Sequence, residues 1–81
     1  MAKYDPLRAE LGRRGGQRVM MTFAEIEAMV GGLPPSAYEH QAWWANEQSG
    51  SHVHAQAWMQ AGYRVGSFDL SARTVTFLKV R

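Results

Sequence analysis

All three Trp and all three His residues of this 81-residue chain lie between residues 40 and 58. Imidazole nitrogens can bind a metal or move a proton, and indole rings can stack on a base or pack into a protein partner. The segment therefore has three possible uses: a metal or catalytic site, a recognition surface, or an anchor of the core.

A metal or catalytic site is the least favoured of these uses. His52 and His54 are two residues apart, so on a helix their rings point in different directions. The chain has no Cys, and the histidines have no clear Asp or Glu partner with which to bind zinc. It also lacks a nucleophile elbow, a phosphate-binding P-loop and a pair of carboxylates. We expect no metal, no cofactor and no enzymatic activity.

The Trp residues divide between a structural and a functional use. Trp44 and Trp58 are expected to anchor the core, where each would bury on the order of 200 Å². Trp43 points about 100° away from its neighbour on a helix, so it can lie exposed and stack on a base. Asn46 can pair with an adenine edge, although a role at the C-terminal end of a helix is favoured.

Charge is unevenly distributed along the chain, although the net value is only +2. Residues 1–19 hold five basic side chains and two acidic ones, and residues 61–81 hold four basic side chains and one acidic one. The middle, residues 20–60, has four Glu and no Lys or Arg. If the two ends meet in space, they form one basic face suited to phosphates. An ordinary solvated surface explains charges of this size equally well.

The N-terminal half predicts two helices separated by a short strand. Asp5 and Pro6 suit the start of the first helix. Gly12 and the pair Gly15-Gly16 end this helix, which leaves residues 12–18 as a flexible basic link. The apolar run at 19–22 predicts a strand. A capping box, Thr22 with Glu25, begins the second helix, which a pair of glycines ends.

The C-terminal half predicts a short helix, a longer helix and a β-hairpin. A second capping box begins at Ser36, for a helix that reaches residues 44–46. After a break in the chain, Ser51 caps the last helix. β-branched and aromatic residues then predict a hairpin over residues 63–80, with a bulge at Gly66.

These elements define a single α+β domain over residues 1–81. Their order is helix, strand, helix, short helix, helix and β-hairpin, which makes the fold winged-helix-like. The insertion of residues 31–50 between the second helix and the last one is a departure. It is far longer than the three- or four-residue turn of a simple helix-turn-helix, so it must pack on the domain in its own way.

Several phrases of the sequence resemble a group of small, largely uncharacterised bacterial domains. The phrases are TFAEIE, LPPSA, AWWAN and AW..AGYRV...DL....VTF, and the resemblance extends from Tyr4 to Phe77. It implies a bacterial or phage domain and no particular activity.

Together, these observations predict a small DNA-binding domain, acting as a bacterial or phage regulator or accessory factor. The last helix would read base edges, while the basic ends and the wing would grip phosphates. The expected nucleic-acid-binding residues are Arg13, Arg14, Arg18, Trp43, Asn46, Ser51, His52, His54, Gln56, Arg64, Arg73 and Lys79.

The alternative is a protein-interaction or self-assembly module that buries the Trp-rich segment in a partner. No run of 18 apolar residues predicts a membrane span, and the N-terminus lacks the apolar segment of a signal peptide. We therefore expect a cytoplasmic protein whose partner is DNA, a second copy of the chain in a homodimer, or another protein.

Overall fold

The computed structural model describes residues 3–46 and 53–80 of the chain. This part contains five helical segments and three strands. In chain order they are α1 (Asp5–Arg14), β1 (Arg18–Thr22), α2 (Phe23–Val30), α3 (Ser36–Glu39), a 3₁₀ helix (Gln41–Trp44), α4 (Val53–Gln60), β2 (Tyr63–Asp69) and β3 (Thr74–Lys79). The strands form an antiparallel sheet in the order β1-β3-β2. The domain is α+β, as the sequence predicts.

Helix α1 runs two residues beyond Gly12, so the prediction that this glycine ends the helix is wrong. The helix ends at Gly15, the other predicted position, with a φ of 66° in the left-handed region that favours glycine. Glu10 lies one turn before Arg13 and Arg14, and it pairs with them at 2.6 and 2.8 Å. These pairs hold the last turn of the helix together.

Residues 15–17, expected to belong to a flexible link, are attached to the sheet. The carbonyl oxygen of Gly15 accepts a hydrogen bond from Lys79 Nζ at 3.2 Å, and that of Gly16 accepts one from the Tyr63 hydroxyl at 2.6 Å. The Gln17 carbonyl accepts from the backbone N–H of Lys79 at 2.8 Å. The glycine-rich stretch is therefore a fixed corner of the domain and leads directly into β1.

The first predicted capping box is confirmed at the start of α2. The N–H of Glu25 donates to Thr22 Oγ1 at 3.1 Å, and the N–H of Thr22 donates to Glu25 Oε1 at 2.9 Å. The corresponding prediction for α3 is wrong, because Pro35 occupies the cap position and no side chain caps that helix. Tyr4, without a side-chain cap, likewise takes the cap position of α1 that was expected for Asp5.

Helix α3 is a single turn and does not continue to residues 44–46. The backbone is extended at His40, with φ −122° and ψ 121°, and resumes as the 3₁₀ helix. This change of direction returns the Trp44 indole to α3, where its Nε1 donates to the Ala37 carbonyl oxygen at 2.9 Å. The break thus allows a buried N–H group to find an acceptor.

A column of aromatic rings connects the helices with the sheet. Phe23 of α2 stacks on Trp44 with ring centroids 4.8 Å apart, and Trp44 stacks on Trp58 of α4 at 5.9 Å. Trp58 then meets Phe77 of β3 at 5.5 Å. All four rings are almost fully buried. The prediction that Trp44 and Trp58 anchor the core is confirmed.

The predicted hairpin and its bulge are confirmed. β2 and β3 pair from Tyr63 opposite Lys79 to Asp69 opposite Thr74, and the register shifts at Gly66. Alternate residues of all three strands are buried against the helices. The other face of the sheet carries no helix in the described part of the chain.

No described helix is long and apolar enough to cross a membrane.

Candidate nucleic-acid interface

Helix α4 exposes only a narrow strip. Of its side chains from residue 54 onward, His54, Ala55, Ala57 and Trp58 are buried, which leaves Gln56, Met59 and Gln60 partly or fully exposed. Gln56 and Gln60 are four residues apart and so lie on the same face of the helix. This strip is what α4 offers to a partner.

A cleft of about 350 Å³ runs between this strip and the start of α1. Gln56 and Gln60 line one side, and Lys3, Tyr4, Asp5 and Arg8 line the other. Arg8 Nη1 donates to Gln60 Oε1 at 3.0 Å, which fixes the guanidinium beside α4. The cleft therefore combines two amide side chains with two cations and one carboxylate. Burial raises the pKa of the Tyr4 phenol above its usual value.

Met59, on the other side of the strip, borders a second depression of about 370 Å³. The remaining lining residues are Asn46, Tyr63, Arg64 and Val80. Arg64 is exposed on β2, so a third cation lies beside α4. Among the described residues, the predicted member Gln56 thus lies on the exposed strip and the predicted member Arg64 lies beside it.

Trp43 is not exposed, contrary to the role in base stacking considered for it. Its exposed fraction is 9%, and its ring stacks face to face on His54 with centroids 3.8 Å apart. His54 is equally buried, and its Nε2 donates to the Trp43 carbonyl oxygen at 2.7 Å. Tyr4 packs edge-on against both rings. Trp43 and His54 belong to the core beneath the strip, because the 3₁₀ helix lies directly against α4.

Asn46 uses its amide within the domain and not on an adenine edge. Oδ1 accepts hydrogen bonds from Trp58 Nε1 at 3.0 Å and from the Val65 N–H at 2.8 Å. Nδ2 donates to the Val65 carbonyl oxygen at 3.1 Å. The side chain therefore pairs with the outer edge of β2 as a neighbouring strand would. It also satisfies the buried indole N–H.

The predicted basic residues do not all lie on one face of the domain. Arg13 and Arg14 are paired with Glu10 at the C-terminal end of α1, and Arg14 also reaches Glu25 at 3.8 Å. The hydrogen bonds from both guanidinium groups lower the pKa of Glu10 to about 2. Arg18 lies exposed on β1, on the open face of the sheet.

The hairpin cations have separate positions. Arg73, in the turn between β2 and β3, holds its guanidinium 5.1 Å from the centre of the Tyr38 ring. Its backbone adopts φ 59°, and its carbonyl oxygen accepts from the Phe23 N–H at 2.8 Å. The turn is thereby folded against α2 and α3. Lys79, as described above, binds the corner after α1.

Two further predicted residues, Ser51 and His52, and the predicted break before them lie outside the described residues. Within residues 3–46 and 53–80, no group of three or more His, Cys, Asp or Glu side chains could hold a metal ion.

A family model described as a domain of unknown function, DUF7662, matches residues 4–80. The chain belongs to this family. Comparison with curated proteins and with solved structures gives no match. The DUF7662 match covers nearly the whole chain and agrees with the resemblance to small uncharacterised domains.

Sequence reasoning did not select Lys3 and Arg8 as members of the site. Both lie at the start of α1, and their position beside α4 depends on how those two helices pack. The one local signal is the spacing of Leu7 and Leu11, which turns one face of α1 towards the core. That spacing shows which face is buried and not which helix covers it.

Proposed function

We propose that this DUF7662 domain binds duplex DNA, with the exposed strip of α4 facing the groove. The β1-β3-β2 order of the sheet supports a comparison with winged helix-turn-helix domains, in which α4 would take the place of the recognition helix and the β2–β3 hairpin that of the wing. In such domains the recognition helix lies in the major groove. Between α2 and α4, the 3₁₀ helix supplies Trp43 and Trp44 to the core.

The observation that carries the proposal is that cations lie on both sides of the exposed strip of α4, which bears two amide side chains. Gln56 has the side-chain type that reads adenine through paired hydrogen bonds, and Gln60 beside it holds the Arg8 guanidinium. Arg8 and Lys3 border the strip on the α1 side and Arg64 borders it on the β2 side. Cations on both sides of a helix suit the phosphates that line both sides of a groove. Asp5 is the one carboxylate in the cleft.

Binding to a labelled duplex of about two helical turns, ~20 base pairs, tests this arrangement. Fluorescence anisotropy should show an affinity that falls steeply between about 50 and 200 mM salt, because phosphate contacts release counterions. Arg8→Ala should weaken binding and reduce the salt slope by about 1. Arg13→Ala, which removes the same charge from the far end of α1, is the matched control. An equal loss from Arg13→Ala would instead support the sequence-based assignment of Arg13 and Arg14.

A second pair of variants tests the strip itself. Gln56→Glu adds a carboxylate at the centre of the interface with almost no change in shape, and it should reduce binding through repulsion of phosphates. Gln41→Glu makes the same change at an exposed position of the 3₁₀ helix and should leave the affinity nearly unaltered. Absence of wild-type binding in low salt at protein concentrations on the order of tens of micromolar would refute the proposal.

A further inference from the structure

On the open face of the sheet, the apolar side chain of Leu78 lies between two cations. Strand register places Arg18, Leu78 and Arg64 side by side across β1, β3 and β2. Met20 lies in the next row, and Val80 follows just beyond β3. Met20 and Val80 are the large apolar side chains that the described part of the chain leaves exposed, at 65% and 53%. Exposed apolar groups gathered on one surface indicate an interaction site.

Gly66 allows Leu78 to lie over the bulge in β2. A Cβ atom at position 66 would come within 2.5 Å of Leu78 Cδ1 and 2.6 Å of its Cγ. The Leu78 side chain therefore occupies the space that another residue at position 66 would fill. Leu78 therefore extends the apolar surface from β3 onto the edge strand, while Thr76 lies between Met20 and the bulge in the next row.

The charged side chains on either side of Leu78 are both cations. Arg18 and Arg64 are exposed and make no hydrogen bond or ion pair with the described residues. Asp69, two rows away by register, uses Oδ1 to accept from the N–H groups of Ser71 and Ala72 at 2.9 and 3.0 Å. The face thus offers apolar contact at its centre and two uncompensated guanidinium groups at its sides.

We propose that this open sheet face, formed by Arg18, Met20, Arg64 and Leu78, docks a single amphipathic helix of a partner protein. The helix carries an apolar stripe that covers Met20 and Leu78 and carboxylates that pair with the two Arg side chains. This interaction shares Arg64 with the proposed DNA-binding surface but does not depend on DNA binding.

The size of the face suits one helix. Three strands spaced about 4.8 Å apart and about six residues long give a plan area of roughly 14 by 20 Å. A helix about 10 Å wide covers 20 Å with about 13 residues. A stable interface between two globular proteins buries about 800 Å² of accessible surface on each partner, so a globular partner would have to extend past the edges of this face.

Two other occupants fit less well. A second copy that packs its Leu78 against the same row would bring cations against cations, and like charges in contact oppose association. Single-stranded nucleic acid binds through aromatic side chains on which bases stack, and the strand positions that point to this face hold no aromatic residue. Both occupants are outcomes that the following experiment can detect.

The experiment selects peptides from a displayed random library of about 16 residues, long enough for one helix across the face. The full chain is the bait. Enriched peptides should combine acidic and apolar residues in a helical pattern. Binding of synthetic copies is then measured by anisotropy against wild-type protein and variants. Arg18→Glu and Met20→Ser should each weaken binding about tenfold or more, because one reverses an ion pair and the other removes an apolar contact.

Arg8→Glu is the matched control, since it makes the same charge change beside α4. It should weaken DNA binding and leave peptide binding unaltered, so the two proposals succeed or fail separately. Arg64 borders both surfaces and is kept native for this reason. Arg18→Gln, compared by circular dichroism, provides a milder variant if Arg18→Glu fails to fold.

Other results would overturn the docking proposal. Enriched peptides that are basic, or that bind wild-type and Arg18→Glu protein equally, contradict the charge complementarity. A library that yields no binder also contradicts it. If no peptides are enriched, and if the wild-type protein binds a single-stranded oligonucleotide that the Arg18→Glu variant does not bind, the face would be assigned to nucleic acid. A concentration-dependent sedimentation shift abolished by Met20→Ser would assign it to a second copy.

Discussion

At the scale of single residues, Asn46 joins three parts of the domain through one amide group. It follows the 3₁₀ helix, binds the indole N–H of Trp58 in α4, and pairs with both polar backbone groups of Val65 in β2. Its role at the end of a helical segment, which the sequence favours, explains none of these contacts. The partners are 12 and 19 residues away, so no local pattern could reveal them.

Asn46→Ala should therefore destabilise the domain by about 2–3 kcal/mol, because it leaves the buried Trp58 N–H without its acceptor. Asn46→Asp keeps both accepted hydrogen bonds but loses the bond donated to Val65. It should cost less than Asn46→Ala. Urea unfolding measures both effects, and Gln41→Ala on the neighbouring exposed segment serves as a control. A loss for Asn46→Ala no larger than that of the control would contradict this role.

Gly66 gives a second prediction at this scale. Gly66→Ala should destabilise the domain by about 1–3 kcal/mol, because the new methyl group overlaps Leu78. The Gly66 backbone is outside the left-handed region, so the effect is one of space and not of backbone strain. Combining Gly66→Ala with Leu78→Ala should recover much of the loss in a double-mutant cycle. Additive losses would show that the overlap is not the cause.

At the scale of elements, α1 extends through Gly12 in spite of the poor helix propensity of glycine. A Cβ atom at this position meets nothing within 4 Å. Gly12→Ala should therefore stabilise the domain by about 1 kcal/mol, whereas Gly12→Pro should cost about 3 kcal/mol or more. Thermal unfolding of the two variants provides the measurement. A tolerated proline would mean that residue 12 belongs to a link, as the sequence alone suggested.

The end of α1 also predicts a dependence on pH. The pairs with Arg13 and Arg14 lower the pKa of Glu10 from its usual 4.5 to about 2. The charged pairs therefore stabilise the fold above about pH 4.5, and this contribution is lost as the pH falls towards 2. Glu10→Gln should lower the melting temperature at neutral pH, and its difference from wild type should shrink on acidification. A difference between Glu10→Gln and wild type that stays the same on acidification would contradict this contribution.

Local signals predicted the elements well and their connections poorly. The capping box of α2, the bulge at Gly66 and the hairpin depend on residues close together in the chain, and the structure confirms them. The helix predicted from Ser36 was too long, since the backbone breaks at His40 so that Trp44 can reach Ala37. Such a break follows from tertiary packing, which outweighs local propensity.

At the scale of the whole molecule, the core and the exposed surfaces use different parts of the sequence. The Trp-rich segment stands out most in the sequence, yet its three indoles pack inside the domain. The candidate surfaces instead combine side chains from α1 with α4, and from β1 with β2 and β3. Sequence patterns indicated which residues are apolar or charged. Which of them become neighbours depends on the packing of elements distant in the chain, so the candidate site was predicted only in part.

The aromatic column gives a prediction for the domain as a whole. Trp58 is fully buried and connects Trp44 with Phe77, so Trp58→Ala should cost about 3–5 kcal/mol. A domain of this length has a total stability of about 4–12 kcal/mol. The substitution should therefore leave much of the protein unfolded or close to unfolding. Trp58→Phe keeps a ring in the column and should lose less, and Met20→Ala on the open sheet face should change little. Chemical denaturation of the three variants measures how much unfolding free energy each one loses. An unchanged midpoint for Trp58→Ala would contradict a core built around this residue.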